Sequence, residues 1–174
     1  MIHTRWRVGL ALAATVAIAT GVAINSAAAD REATEEEQGF LDAAMDGDVS
    51  LVKEFLDKGV DVNVTYDDEE KINALMQAAV GSHGEVVKVL LEAGAEVDAR
   101  ASDGMTAFLM AVDACGSNHG DLEIEEPYWQ VMRLLAGAGA DVNAKDGDGQ
   151  TAMATAKSYD DQRAIKVLTE LGGR

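Results

Sequence analysis

The stretch Ala74–Ala99, reading ALMQAAVGSHGEVVKVLLEAGAEVDA, decides the fold, because three other segments copy its spacing. Leu75, Ala78 and Ala79 put one bulky and two small apolar side chains on one face of a short helix, where a neighbouring backbone can come close. Gly81 and Ser82 end that helix. Val86, Val87, Leu90 and Leu91 follow at i, i+1, i+4 and i+5, the stripe a second helix presents to a core. Gly94 then supplies the left-handed conformation that helix C-caps favour. Two helices of this size do not bury both apolar faces by themselves, so the unit requires copies beside it.

The copies are present. Nineteen positions separate Leu75 from Gly94, Phe40 from Gly59, and Met153 from Gly172; Phe108 and Gly139 are 31 apart, the same interval with 12 residues inserted. Leu75 to Phe108 is 33, a period of stacked helix pairs. After each pair comes a short extended tail, as in Val60-Asp61-Val62-Asn63, Ala95-Glu96-Val97-Asp98 and Ala140-Asp141-Val142-Asn143. A turn follows, seen in Ser102-Asp103-Gly104-Met105-Thr106 and in Asp146-Gly147-Asp148-Gly149-Gln150-Thr151.

At these residues the chain resembles the ankyrin-repeat family, over about residues 38–174. The resemblance implies an all-α solenoid of four helix-turn-helix units with β-hairpin or turn connections, the repeats spanning about 39–64, 65–99, 100–144 and 145–174. The family's Thr-Pro-Leu-His becomes Asn73-Ala74-Leu75-Met76, Thr106-Ala107-Phe108-Leu109 and Thr151-Ala152-Met153-Ala154. Losing proline from the first helical turn gives up a preset φ angle.

Ahead of the repeats, residues 1–29 carry Arg5 and Arg7, an apolar run from Val8, and small residues at Ala27–Ala29, the pattern of a secretory signal peptide cleaved after Ala29. The alternative is an N-terminal membrane anchor; either way the repeats lie outside the cytoplasm, in a periplasm or as a secreted protein. Residues 30–38, DREATEEEQ, read as an acidic, solvated lead-in.

Net charge is −17, and residues 1–29 hold two bases and no acid, so the other 12 bases face 31 acids, a balance of −19. Such a surface repels phosphate backbones and excludes nucleic acid as a partner. It steers a basic protein instead.

No constellation carries catalysis. Asp67, Asp68, Glu69 and Glu70 are adjacent, whereas calcium loops alternate their ligands around a fixed glycine. Asp146–Gly149 resembles a metal loop, yet its register is that of the repeat's turn. His83 sits where the family carries a loop histidine that bonds backbone, and no histidine pair has zinc spacing. Cys115, the one cysteine, falls near the end of an apolar helix and reads as buried rather than nucleophilic. No catalytic residue, cofactor or metal is therefore expected.

The insertion, around Gly116–Pro127, reads as a loop followed by Tyr128 and Trp129. Leu122, Ile124, Tyr128 and Trp129 are candidates for an exposed anchor, and Trp129, aligned with Val49, for a core seal. In the last repeat the inner alanine pair becomes Ala156-Lys157 and the stripe becomes Ala164, Ile165, Leu168 and Thr169, the polar outer face of a terminal cap.

The resemblance implies a non-catalytic, monomeric module that grips a protein partner with its hairpin tips and concave helix face, without membrane contact after signal cleavage. By register the contact residues are Asp68, Arg100, Ser102, Asp103, Met105, Asp148 and Gln150 on the tips, with Val80, Asp113 and Tyr159 at the inner helix ends. The alternatives are an inhibitor or immunity protein that blocks a basic toxin or hydrolase, and an accessory factor for a periplasmic enzyme.

Overall fold

The computed structural model describes residues 34–66, 69–117 and 122–174, with the side chains of 122–125 excepted. The signal-peptide or anchor segment, Asp67, Asp68 and His119 lie outside the described residues. Among those residues eight helices follow in order: α1 (Glu35–Asp46), α2 (Val49–Asp57), α3 (Ala74–Val80), α4 (Gly84–Glu92), α5 (Ala107–Ser117), α6 (Leu122–Gly137), α7 (Ala152–Ser158) and α8 (Gln162–Glu170). No helix among them is long and apolar enough to cross a membrane.

Six of the eight helices, α4 and α6 excepted, start where the sequence offers a side-chain acceptor for unpaired N–H groups. Asn73 caps α3, Thr151 caps α7, and Asp48 and Asp161 each take two N–H groups at the starts of α2 and α8. Thr34 and Glu37 form a capping box on α1, so Glu35–Gln38, read as lead-in, are already helix. Three acids in that first turn favour it through the helix dipole. Helix ends are equally local: the residue seven after the bulky core position takes positive φ at Gly47, Ser82 and Asp160, stopping α1, α3 and α7.

The third repeat has Cys115 at that position, without positive φ, and there α5 runs on to Ser117. Helix α6 begins at Leu122. Most of the 12-residue insertion is therefore helical rather than looped, a correction to the reading of 116–127. Pro127 lies inside α6, where it removes one backbone bond; burial of Tyr128, Val131, Met132 and Leu135 just beyond holds the helix.

The inner helices pack in the order α1, α3, α5, α7, and the outer helices α2, α4, α6 run behind them. Helix α8 leans on α7 and α5. Phe40, Leu75, Phe108 and Met153, the bulky residues of the repeating register, are all buried. Small neighbours Ala43, Ala44, Ala78, Ala79, Ala111 and Ala156 are buried between them, which lets inner helices approach closely. Val52, Val86, Val87, Leu90, Ala164 and Leu168 bury the second helices, while Leu51, assigned to the first stripe, is 37% exposed.

Hydrogen bonds then lock one repeat to the next. The side-chain oxygens of Asn63, Asp98 and Asn143, at matching tail positions, accept the backbone N–H groups of Glu96, Asp141 and Arg174 at 2.9–3.0 Å. His83 donates from Nε2 to the Met45 carbonyl at 2.9 Å, the backbone bond expected of it, and caps no helix. Two isolated bridges, Thr65–Asn73 and Lys145–Thr151, close the turns. The turns also touch edge to edge, Ser102 donating to the Glu70 carbonyl and Gly147 to that of Asp103.

That last contact leaves no room for a side chain, since a Cβ on Gly147 would meet the Asp103 oxygen at 2.6 Å. Gly147→Ala is expected to cost about 2 kcal/mol in denaturant unfolding. Asp148→Ala, at the exposed tip beside it, is expected to stay within about 0.5 kcal/mol. Equal costs at both positions would show that the hairpins do not hold one another.

Candidate functional site

A groove of about 620 Å³ opens where the turns of the second and third repeats meet the inner ends of α3 and α5. Five residues assigned from the sequence line it: Val80, Ser102, Asp103, Met105 and Asp113. Glu70, Ile72, Gln77, Ala101, Met110 and Ala114 complete the lining. The turn that presents Ser102 and Asp103 is built locally. Gly104 takes φ +81°, Ala101 and Met105 pair through backbone, and Asp103 accepts the Met105 N–H through Oδ1 at 2.9 Å.

The apolar part of the groove is unusually open. Val80 is 43% exposed at the end of α3, and Met105 and Met110 are half-buried. Tyr159, 36% exposed, stands at the end of α7 against Gly116, where a Cβ would collide with its ring. Its hydroxyl donates to Asp113 Oδ1 at 3.0 Å and lies 3.3 Å from the Ser117 hydroxyl. Tyr159 thus fixes the Asp113 carboxylate and braces the lengthened α5.

The other assigned residues do different work or stand apart from the groove. Arg100 turns its guanidinium to the carbonyls of Gly104 at 2.8 Å and Lys145 at 2.6 Å, clasping the third and fourth hairpins together. Asp148 and Gln150 are exposed on the last turn, outside the groove lining, and their N–H groups both donate to Asp146 Oδ1. That use of Asp146 is turn chemistry, as the register indicated. Asp68 lies outside the described residues.

Tyr128 departs from its sequence assignment, and Trp129 falls between the two readings given for it. Tyr128 is buried, not part of an exposed anchor, and its hydroxyl donates to the Val80 carbonyl at 3.0 Å. Trp129 is only half-buried and lines a second cleft of about 330 Å³ with Arg133, Arg163, Lys166 and Glu170, between α6 and α8. Its indole nitrogen is buried and meets no acceptor among the described residues. Trp129 shares the half-buried state of Val49, the residue it aligns with, and both pack against the core from its edge. Cys115 is buried, as its neighbours indicated.

A row of helix pairs with turns along one edge defines a helical repeat solenoid. A profile described as ankyrin repeats in three copies matches residues 40–126, and the chain belongs to the ankyrin-repeat family. Curated relatives include "Ankyrin repeat, SAM and basic leucine zipper domain-containing protein 1" of Colobus guereza, 36% identical over 92 residues, or 53% of this chain and 19% of the relative. The proteins of that name from Chlorocebus aethiops and Papio anubis are each 37% identical over 92 residues, with the same coverage. The chain therefore spans about a fifth of the length of these relatives. Its repeats are those of a protein-binding module from a family that is typically non-catalytic.

Burial raises the Tyr128 phenol above its ordinary 10.0, and Cys115 adds a smaller push in the same direction. The native state then holds this proton more tightly than the unfolded chain, so stability falls as pH climbs past about 10 toward the raised value. Urea unfolding across pH 8–11.5 is expected to show that decline, with a shallower slope in Tyr128→Phe. Identical slopes would remove Tyr128 from the account.

Proposed function

We propose that the chain is an exported, monomeric and non-catalytic protein-binding module that captures one basic protein partner along its hairpin tips and inner helix ends. The observation that carries this reading is the convergence of Val80, Ser102, Asp103, Met105 and Asp113 on one groove. These residues come from two successive repeats, and repeat register alone places them on one edge. Asp148 and Gln150 on the next turn, with Tyr159 on α7, extend the same edge; Asp68 belongs to it by register. Arg100 serves by holding two of the turns in line.

The basic character of the partner follows from the −19 balance of the chain beyond residue 29. Export rests on residues 1–29. The relatives are mammalian and give a bacterial periplasm no support over other exported locations. The same charge favours a second reading, an inhibitor that occludes one basic toxin or hydrolase, over an accessory factor. An inhibitor abolishes its target's activity at one-to-one stoichiometry, and a scaffold leaves it intact.

Full-length chain expressed with its leader is expected to yield a mature N-terminus at Asp30. Used as bait, the mature chain is expected to retain a partner whose affinity, once that partner is purified, falls at least about tenfold in the combined variant Ser102→Ala, Met105→Ala, Gln150→Ala. Lys53→Ala on the outer helix α2 serves as the control. Unchanged affinity in the triple variant would overturn the concave-face assignment.

A further inference from the structure

We infer that the groove between the second and third repeats takes one long basic side chain, arginine or lysine, from the partner. This rests on the concave-face reading above and gives that surface its chemistry. Two features coincide there. The floor is apolar and adaptable: Val80 is 43% exposed, and Met105 and Met110, both half-buried, bring unbranched thioether chains that mould to a flexible stem. The rim is anionic, formed by Glu70 and Asp103 on adjacent turns and by Asp113 on α5, and among the described residues no lysine or arginine lines it.

The rim is also set before anything binds. Asp103 Oδ1 holds the Met105 N–H at 2.9 Å, and Asp113 Oδ1 holds the Tyr159 hydroxyl at 3.0 Å. A carboxylate has about four acceptor sites, so both groups retain capacity for a further donor. Arg100, on the same hairpin, commits its guanidinium to the Gly104 and Lys145 carbonyls rather than to these acids. A long cation matches both features together, its methylene stem covering the methionines and its charged head reaching the carboxylates. A short cation satisfies the rim and leaves the floor wet; a long neutral chain covers the floor and brings no charge to Asp103 and Asp113.

The test uses the full chain labelled at its methionine methyls and three capped pentapeptides with identical alanine and glycine flanks. Their central residue is arginine, citrulline or 2,3-diaminopropionate. The arginine peptide is expected to shift the Met105 and Met110 methyl signals, with Met45 unmoved, at an affinity about tenfold above either other peptide. Asp103→Asn with Asp113→Asn, which keeps both internal hydrogen bonds available, is expected to bring arginine down to the citrulline level. Equal response to all three peptides, response at Met45 alike, or no response overturns the inference. Should the pentapeptide fail while the Ser102, Met105, Gln150 variant still loses its partner, only this inference falls. Should the peptide dock while partner affinity is unchanged in that variant, the concave-face reading falls instead.

Discussion

Close approach of the inner helices is the constraint from which the rest of the architecture follows. Helices α3 and α7 have seven residues and α2, α4 and α8 have nine, below the length at which an isolated helix holds in water. Each draws its stability from a neighbour. Buried alanines at Ala43, Ala44, Ala78, Ala79, Ala111 and Ala156 keep the inner row tight, and the larger side chains of the outer helices fill the space behind. Tail oxygens of Asn63, Asp98 and Asn143 then fix the register between successive units. With register fixed, the turns fall into line, and backbone bonds from Ser102 to Glu70 and from Gly147 to Asp103 join their edges. The proposed binding edge is a by-product of packing.

The regular part of this design was legible because its determinants are local and repeat. Gly59, Gly94, Gly139 and Gly172 all take positive φ where spacing placed the helix ends, and Asn73, Thr151, Asp48 and Asp161 cap where their residue types favour it. His83 reaches the Met45 carbonyl as its register implied. What escaped depends on contacts between units. The absence of a left-handed stop at Cys115 lets α5 continue, and tertiary burial beyond Pro127 sustains α6 through a residue that reads as a breaker. Arg100 looks like a surface contact residue in one dimension; its carbonyl partner Lys145 belongs to another repeat. Leu51 fits an apolar stripe, but α2 is the outer helix at one end of the row and that position stays partly open.

The same physics shapes the edge proposed to bind. Tyr128 and Tyr159 both reach residues that line it, one holding the Val80 carbonyl and the other the Asp113 carboxylate. The lengthened third repeat thus supports the groove instead of protruding as a separate arm. For the proposed basic partner, charge adds direction: an acidic surface raises the encounter rate and does so most at low salt. Between α6 and α8, Arg133, Arg163 and Lys166 stand with Glu126 and Glu170 around Trp129, a cleft of mixed charge.

The most direct test of the account is the helicity of a fragment spanning residues 34–99, which holds two repeats and none of their later neighbours. If stability resides in contacts between repeats, circular dichroism of that fragment shows little helix and no cooperative thermal transition, while the full chain shows both. A fragment that keeps full helicity and melts cooperatively would contradict it.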